Sequence, residues 1–148
     1  MKIDITCFDI KDVPIDPEAV FTFPEGLVGF EEHKRFIFLN EENRRTVFWL
    51  QSLDQQEIMF PVVSPETLDM SYQIELSDED LALIGLEKPE DATVAVIVYR
   101  NAVPSPDPES SPGISANTRS PLILNLKKRI GMQKVLREVH PTLLYRAR

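Results

Sequence analysis

Cysteine is almost missing from this sequence, and so is every short motif that usually announces chemistry. A single cysteine, Cys7, cannot close a disulfide within the chain, which points to a reducing compartment. Two histidines, His33 and His140, complete the soft metal ligands, too few for a structural zinc site built from four Cys or His side chains. Glycine is sparse, five in 148 residues. Neither GxGxxG nor GxxxxGK followed by Ser or Thr occurs, so the backbone cradles that hold nucleotide phosphates are absent, as are GxSxG and HExxH. The longest apolar run, Val94 to Tyr99, is far too short for a membrane helix, and no stretch after Met1 has the length of a signal peptide. The expected location is the cytoplasm.

What remains is an ordinary globular composition with an uneven charge. The chain is 43% hydrophobic and 27% charged, with a formal net charge of -8; it is too apolar for disorder, and its length suits one domain spanning residues 1–148 with a single core. Residues 1–118 carry 8 basic and 23 acidic side chains, against 8 basic and 1 acidic in residues 119–148. An acidic body of this kind repels polyanions and steers cationic partners. The C-terminal basic segment 119–148 reads as turn and strand-end cations that offset the body, with a phosphate-binding strip as the alternative.

Period-two alternation rich in Val, Ile, Phe and Tyr predicts strands at Lys2–Phe8, Ala19–Phe23, Arg35–Leu39, Thr46–Ser52, Ile58–Val63, Tyr72–Leu76, Thr93–Arg100, Leu122–Leu126 and Gly131–Leu136. Pro61, which has no N–H for a ladder, must sit at a strand edge or bulge. One segment has helix-start chemistry instead. Ser77 is a good N-cap, Asp80 stands three residues later as a capping-box partner, Leu76 can staple onto Leu81, and Gly85 supplies a stop, which predicts a helix of about two turns. The fold class is mainly β, a small antiparallel β-barrel-like domain with one or two short helices. The stretch 101–112, with four prolines and three serines, is a proline-rich loop.

No carboxylate pair stands out among 24 acids, and Cys7, flanked by alternating Ile3 and Ile5, reads as an inert buried thiol. The distinctive cluster is Phe23-Pro24-Glu25-Gly26-Leu27-Val28-Gly29-Phe30-Glu31. Pro24 sets the turn entry, two glycines in four residues permit left-handed backbone or close approach, and Phe23 and Phe30 anchor both ends. The segment is either a tight connecting turn or a rigidly anchored partner-binding loop. Candidate partner-contact residues are Glu25, Phe30, Glu31 and Glu32, with the polar edge residues Asn117 and Asn125.

FPEGLVGFE at Phe23–Glu31, FWLQS at Phe48–Ser52, LSDEDLALIGL at Leu76–Leu86, PEDATVAVIV at Pro89–Val98 and SPLILNLKKRIGMQKVL at Ser120–Leu136 together resemble the flagellar assembly factor FliW family, in order over most of the chain. The pattern departs at Thr118 and Arg119, where the family leads one to expect a more apolar pair. The resemblance implies a small barrel-like fold, no enzymatic activity and no cofactor or metal. It also implies two protein partners: flagellin, and the translational repressor CsrA, which the family's members antagonise allosterically until flagellin competes for them. No direct nucleic acid, membrane or small-molecule substrate is implied. The rival readings are a small RNA-binding β-barrel that uses the basic C-terminal segment and a carboxylate-dependent enzyme.

Overall fold

Alternating apolar residues make strands, and strands with one buried face must either pack on another layer or close on themselves. Here they close. The structure is a computed structural model that describes residues 2–5, 10–41, 44–72, 74–100, 114–136 and 142–143. Its strands are β1 (Lys2–Ile5), β2 (Ile10–Pro14), β3 (Phe21–Thr22), β4 (Arg35–Glu41), β5 (Arg44–Ser52), β6 (Met59–Val63), β7 (Met70–Ser71), β8 (Thr93–Arg100), β9 (Ile114–Ala116), β10 (Leu122–Asn125), β11 (Ile130–Gln133) and β12 (Thr142–Leu143). Seven of them, in the order β10-β11-β3-β4-β5-β6-β8, form a ring that the β8–β10 pairing completes. Every pairing in the ring is antiparallel except β11 with β3, where Ile130 meets Thr22 in parallel. Closure removes the unpaired edges that would otherwise invite aggregation.

β9 continues along the same side of β8 beyond β10, pairing Val98–Arg100 after β10 has taken Thr93–Ala95. β1 and β2 form a separate hairpin, and β7 pairs with β12. Pro61 sits opposite Trp49 of β5, while the ladder to β8 takes in Val62 and Val63 and stops there. The missing N–H is thereby accommodated where one ladder ends.

One face of each strand lines the bore of the ring. Phe21, Phe23, Phe36, Leu50, Val62, Ala95, Ile97, Leu122 and Leu124 are buried together there. The rings of Phe21 and Phe38 meet edge to face at 5.0 Å, and those of Phe23 and Phe36 at 5.3 Å, geometries worth about 0.5–1.5 kcal/mol each beyond burial. Gly131 of β11 is what lets Phe23 in: a β-carbon there would stand 2.7 Å from Phe23 Cζ and 2.9 Å from Leu124 Cδ2.

The outer faces are covered locally. Ile123 and Met132, on the outer side of β10 and β11, pack with Ile84 and Leu86 of the helical segment. The helix, α1 (Asp78–Ile84), has the expected capping box. The Asp80 N–H donates to Ser77 Oγ at 3.1 Å, and the Ser77 N–H donates to the Asp80 carboxylate at 3.0 Å. Leu76 and Leu81 join the same apolar group, and α1 ends at Gly85. The Lys134 ammonium pairs with Asp80 and so ties the helix start to the chain beyond β11. Three short 3-10 turns, Pro17–Ala19, Pro65–Leu68 and Pro89–Asp91, each open on proline, where a missing N–H costs nothing.

Several expected boundaries move. Tyr72 and Ile74–Leu76 are not a strand. The Tyr72 hydroxyl donates to Thr118 O at 2.6 Å, and Ile74 and Leu76 belong to the apolar group under α1, so this stretch leads into the cap. The expected first strand divides into β1 and residues beyond it, with Thr6–Asp9, Cys7 included, outside the described residues. β2 and β9 were not anticipated, because the neighbouring prolines obscure their alternation. The proline-rich loop at 101–112 also lies outside the described residues.

Gly131→Ala is expected to destabilise the fold by about 1–3 kcal/mol through overpacking against Phe23, read as a lower urea midpoint at unchanged slope. Asp80 gives a pH-dependent test. Partial burial works to raise its pKa, but hydrogen bonds from Lys134 and Ser77 and the Lys134 charge together hold it below the usual carboxylate value. Its stabilising contribution is therefore complete above about pH 4 and is lost as pH falls through the depressed value. Asp80→Ala should cost about 1–2 kcal/mol at neutral pH, and equilibrium unfolding should show the gap to wild type closing in acid.

Candidate functional site

A closed barrel needs its ends filled, and one end is filled from within the sequence. After β3 the chain crosses the barrel end as a loop, Phe23 to His33, before returning as β4. Phe23 and Leu27 are wholly buried in the bore, and Phe30, half-buried, meets Phe60 edge to face at 5.2 Å. The loop is stitched by its own backbone: the Phe23 N–H donates to Lys34 O at 2.7 Å, Gly26 N–H to Phe23 O at 2.8 Å, Phe30 N–H to Leu27 O at 2.7 Å and His33 N–H to Phe30 O at 3.1 Å. Gly26 has φ +67°, and a β-carbon on it would lie 2.6 Å from Glu31 O. No other residue fits there without opening the loop.

The tip points outward. Val28 is 61% exposed, a large apolar side chain held in water, and its N–H donates to Gln133 Oε1 at 2.8 Å. Gln133 in turn donates through Nε2 to Ser120 O at 3.0 Å. This chain of contacts fixes the tip to β11 and to the residues before β10. The Gly29 N–H donates to Glu31 Oε1 at 3.2 Å, while Glu25 and Glu32 are exposed. At the base of the loop Asp54 accepts from the Lys34 and Arg35 N–H groups at 2.8 and 3.1 Å. Its partial burial favours the neutral form, yet those two bonds and the Arg35 charge outweigh it and hold the carboxyl below its usual pKa. His33 lies beside Phe30, its Nδ1 3.4 Å from Ser52 Oγ.

Of the residues chosen from sequence, Glu25, Phe30, Glu31 and Glu32 share this plugged end. Asn117 belongs to the same end, its N–H donating to Ile97 O at 2.8 Å. Asn125 does not, and its choice as a polar edge residue is corrected. It is 5% exposed at the far end of β10. Its Nδ2 donates to Ile84 O and Gly85 O at 2.9 and 3.2 Å, and its Oδ1 accepts from the Lys127 and Lys128 N–H groups at 3.1 and 3.2 Å. The amide is spent on joining the end of α1 to the β10–β11 turn. Val28 and Gln133 were missed, although an apolar residue between Leu27 and Gly29 at a turn tip was a signal available in the sequence.

The basic segment is not one strip among the described residues. Lys127, Lys128 and Arg129 form the turn at one end of the barrel, Arg119 lies toward the other, and Lys134 is paired with Asp80. Arg137, Arg146 and Arg148, like His140, lie outside the described residues. No group of three or more His, Cys, Asp or Glu side chains among the described residues is placed to hold a metal, and no described helix is long and apolar enough to cross a membrane.

Residues 6–145 match the family model described as FliW protein. The chain is 41% identical over 150 residues to a flagellar assembly factor FliW of Azoarcus sp. strain BH72, covering 100% of this chain and 99% of that protein. It is 36% identical over 130 residues to the protein of the same name from Chromobacterium violaceum, covering 84% and 87%. The fold superposes on a crystal structure of the flagellar assembly factor FliW with a TM-score of 0.76 at 26% identity, covering 95% of this chain and 92% of that one.

Gly26→Ala is expected to release the loop while leaving the strand ring paired. Amide hydrogen exchange at Gly26, Phe30 and His33 should accelerate by at least about tenfold, while amides of β5 and β8 keep most of their protection.

Proposed function

The chain belongs to the FliW family, and on that premise we propose that it serves flagellar assembly as a non-enzymatic, stoichiometric binding protein for flagellin and for the repressor CsrA. The observation that supports this reading best is the plugged end. A loop anchored by the buried Phe23 and Leu27 presents the exposed Val28 with Glu25, Glu31 and Glu32 beside it. Rigid anchoring lowers the entropic cost of docking, and a central apolar residue ringed by charge is how a protein interface concentrates its affinity.

The charge has a definite part in the mechanism. CsrA is an RNA binder, and an RNA-binding surface is basic. An acidic body carrying 23 carboxylates in its first 118 residues is attracted to such a partner. Once docked, it lowers the partner's affinity for phosphate without entering the RNA site. That is a coupling free energy between two ligands of CsrA, and it is reciprocal. Long-range charge is screened within about 8 Å at physiological salt, so the apolar contact at Val28 supplies residence time and the acids supply direction and rate. Competition by flagellin for the same protein then links the filament subunit's supply to repression of its own message.

Calorimetry and sizing chromatography with purified partners test the reading. A complex with CsrA that added flagellin dissociates is expected. Val28→Asp should weaken partner binding by about tenfold or more, whereas Glu25→Lys with Glu31→Lys and Glu32→Lys should mainly slow association with CsrA and flatten its salt dependence. Failure to bind either protein would end the proposal.

A further inference from the structure

Among the described residues, the end of the barrel opposite the plug is open. Phe21, Phe38, Val62, Ala95 and Leu124 line a cavity of about 350 Å³ that reaches down into the bore. That exceeds the roughly 150 Å³ of a dry apolar cavity able to hold benzene, and it falls within the roughly 300–1,000 Å³ of sites that hold small ligands, for which barrel mouths are a recurrent place. Phe48 and Leu126 stand at the rim, 39% and 45% exposed, two of the four large apolar side chains so exposed among the described residues. Apolar surface on the bore wall and on the rim together suits an occupant that is itself apolar over most of its length.

An anionic group on that occupant finds its counter-charge at Arg129. Among the described residues, Arg129 is the only charged one in the cavity lining. Its backbone is left-handed, with φ +57°. Its Nη1 donates to Leu126 O at 2.6 Å, its Nε donates to Glu18 O at 3.3 Å, and its guanidinium carbon lies 5.5 Å from the centroid of the Phe21 ring. These contacts hold the guanidinium at the mouth, yet the ion pairs found among the described residues, Arg35–Asp54 and Lys134–Asp80, do not include it. A fixed cation with spare N–H groups, bonded among the described residues to carbonyls alone, is complementary to a carboxylate. Ser64 also lines the cavity, but its hydroxyl is engaged with Thr67 Oγ1 at 3.0 Å. Among the described residues the wall below offers no charged group, which favours the rim for the charge.

We propose that the open end of the barrel is a binding site for a linear medium-chain alkyl carboxylate, its tail in the bore and its carboxylate on Arg129. The site lies at the opposite end from the plugged face and its test uses neither flagellin nor CsrA, so it fails or succeeds apart from theirs. Titration calorimetry of the full chain with hexanoate, octanoate and decanoate, each below its micelle concentration, should give saturable one-to-one binding. Affinity should rise about threefold to fourfold for each added methylene until the bore is full. Arg129→Gln should weaken octanoate by about tenfold or more, the loss of one charge-assisted pair, and leave neutral 1-octanol unchanged. Ala95→Leu, which narrows the bore, should weaken both; Leu126→Ser, at the exposed rim, provides a variant that spares the core. The proposal is overturned by absence of saturable binding, by octyltrimethylammonium binding as well as octanoate, or by indifference to Arg129→Gln. It is equally overturned by sedimentation showing a dimer that Leu126→Ser disperses, which would make the open end a contact between two copies.

Discussion

Phe23 lying against Gly131 is the contact on which the rest of the structure depends. Seven strands closed by the β8–β10 pairing enclose a bore that must be packed to the density of any protein interior. The ring of Phe23 enters it only because β11 has no β-carbon at Gly131. From that anchor the chain can cross the barrel end, bury Leu27, turn at Gly26 and return as β4. The same arrangement that seals the core therefore fixes an exposed tip, so stability and presentation of Val28 are one constraint. A looser plug would weaken both together.

The two ends of the barrel differ in kind. One is closed by the chain and displays carboxylates around an apolar tip; the other opens on an apolar bore beside the turn Lys127–Arg129. The basic segment makes no continuous phosphate-binding strip among the described residues, because its described cations are divided between the ends and Lys134 is paired with Asp80.

Much of the fold was legible in the sequence because the signals were local. Ser77, Asp80 and Gly85 define α1 by hydrogen-bond chemistry that needs no distant partner, and the alternation in Thr93–Arg100 and Thr46–Ser52 survives as β8 and β5 with little change. What escaped was set by tertiary packing. Tyr72–Leu76 alternates like a strand, but its apolar residues are used to seat the helix start and its tyrosine reaches Thr118. Asn125 reads as a polar strand end, and only the fold reveals that two carbonyls of the α1 terminus and two turn N–H groups converge on its amide. The loop that carries Glu25, Phe30, Glu31 and Glu32 was identifiable because its glycines make it conspicuous. Gln133 was not, since its partner Val28 lies 105 residues away in sequence.

The most direct test of the central claim, that the loop sealing the barrel is also the face presented to partners, is amide hydrogen–deuterium exchange of the full chain alone and with saturating CsrA or flagellin. The account predicts new protection concentrated at Pro24–His33 and at the Gln133 and Ser120 segments that hold the tip. Protection confined to the Lys127–Arg129 end or to the outer face of α1, with the loop unchanged in both complexes, would contradict it.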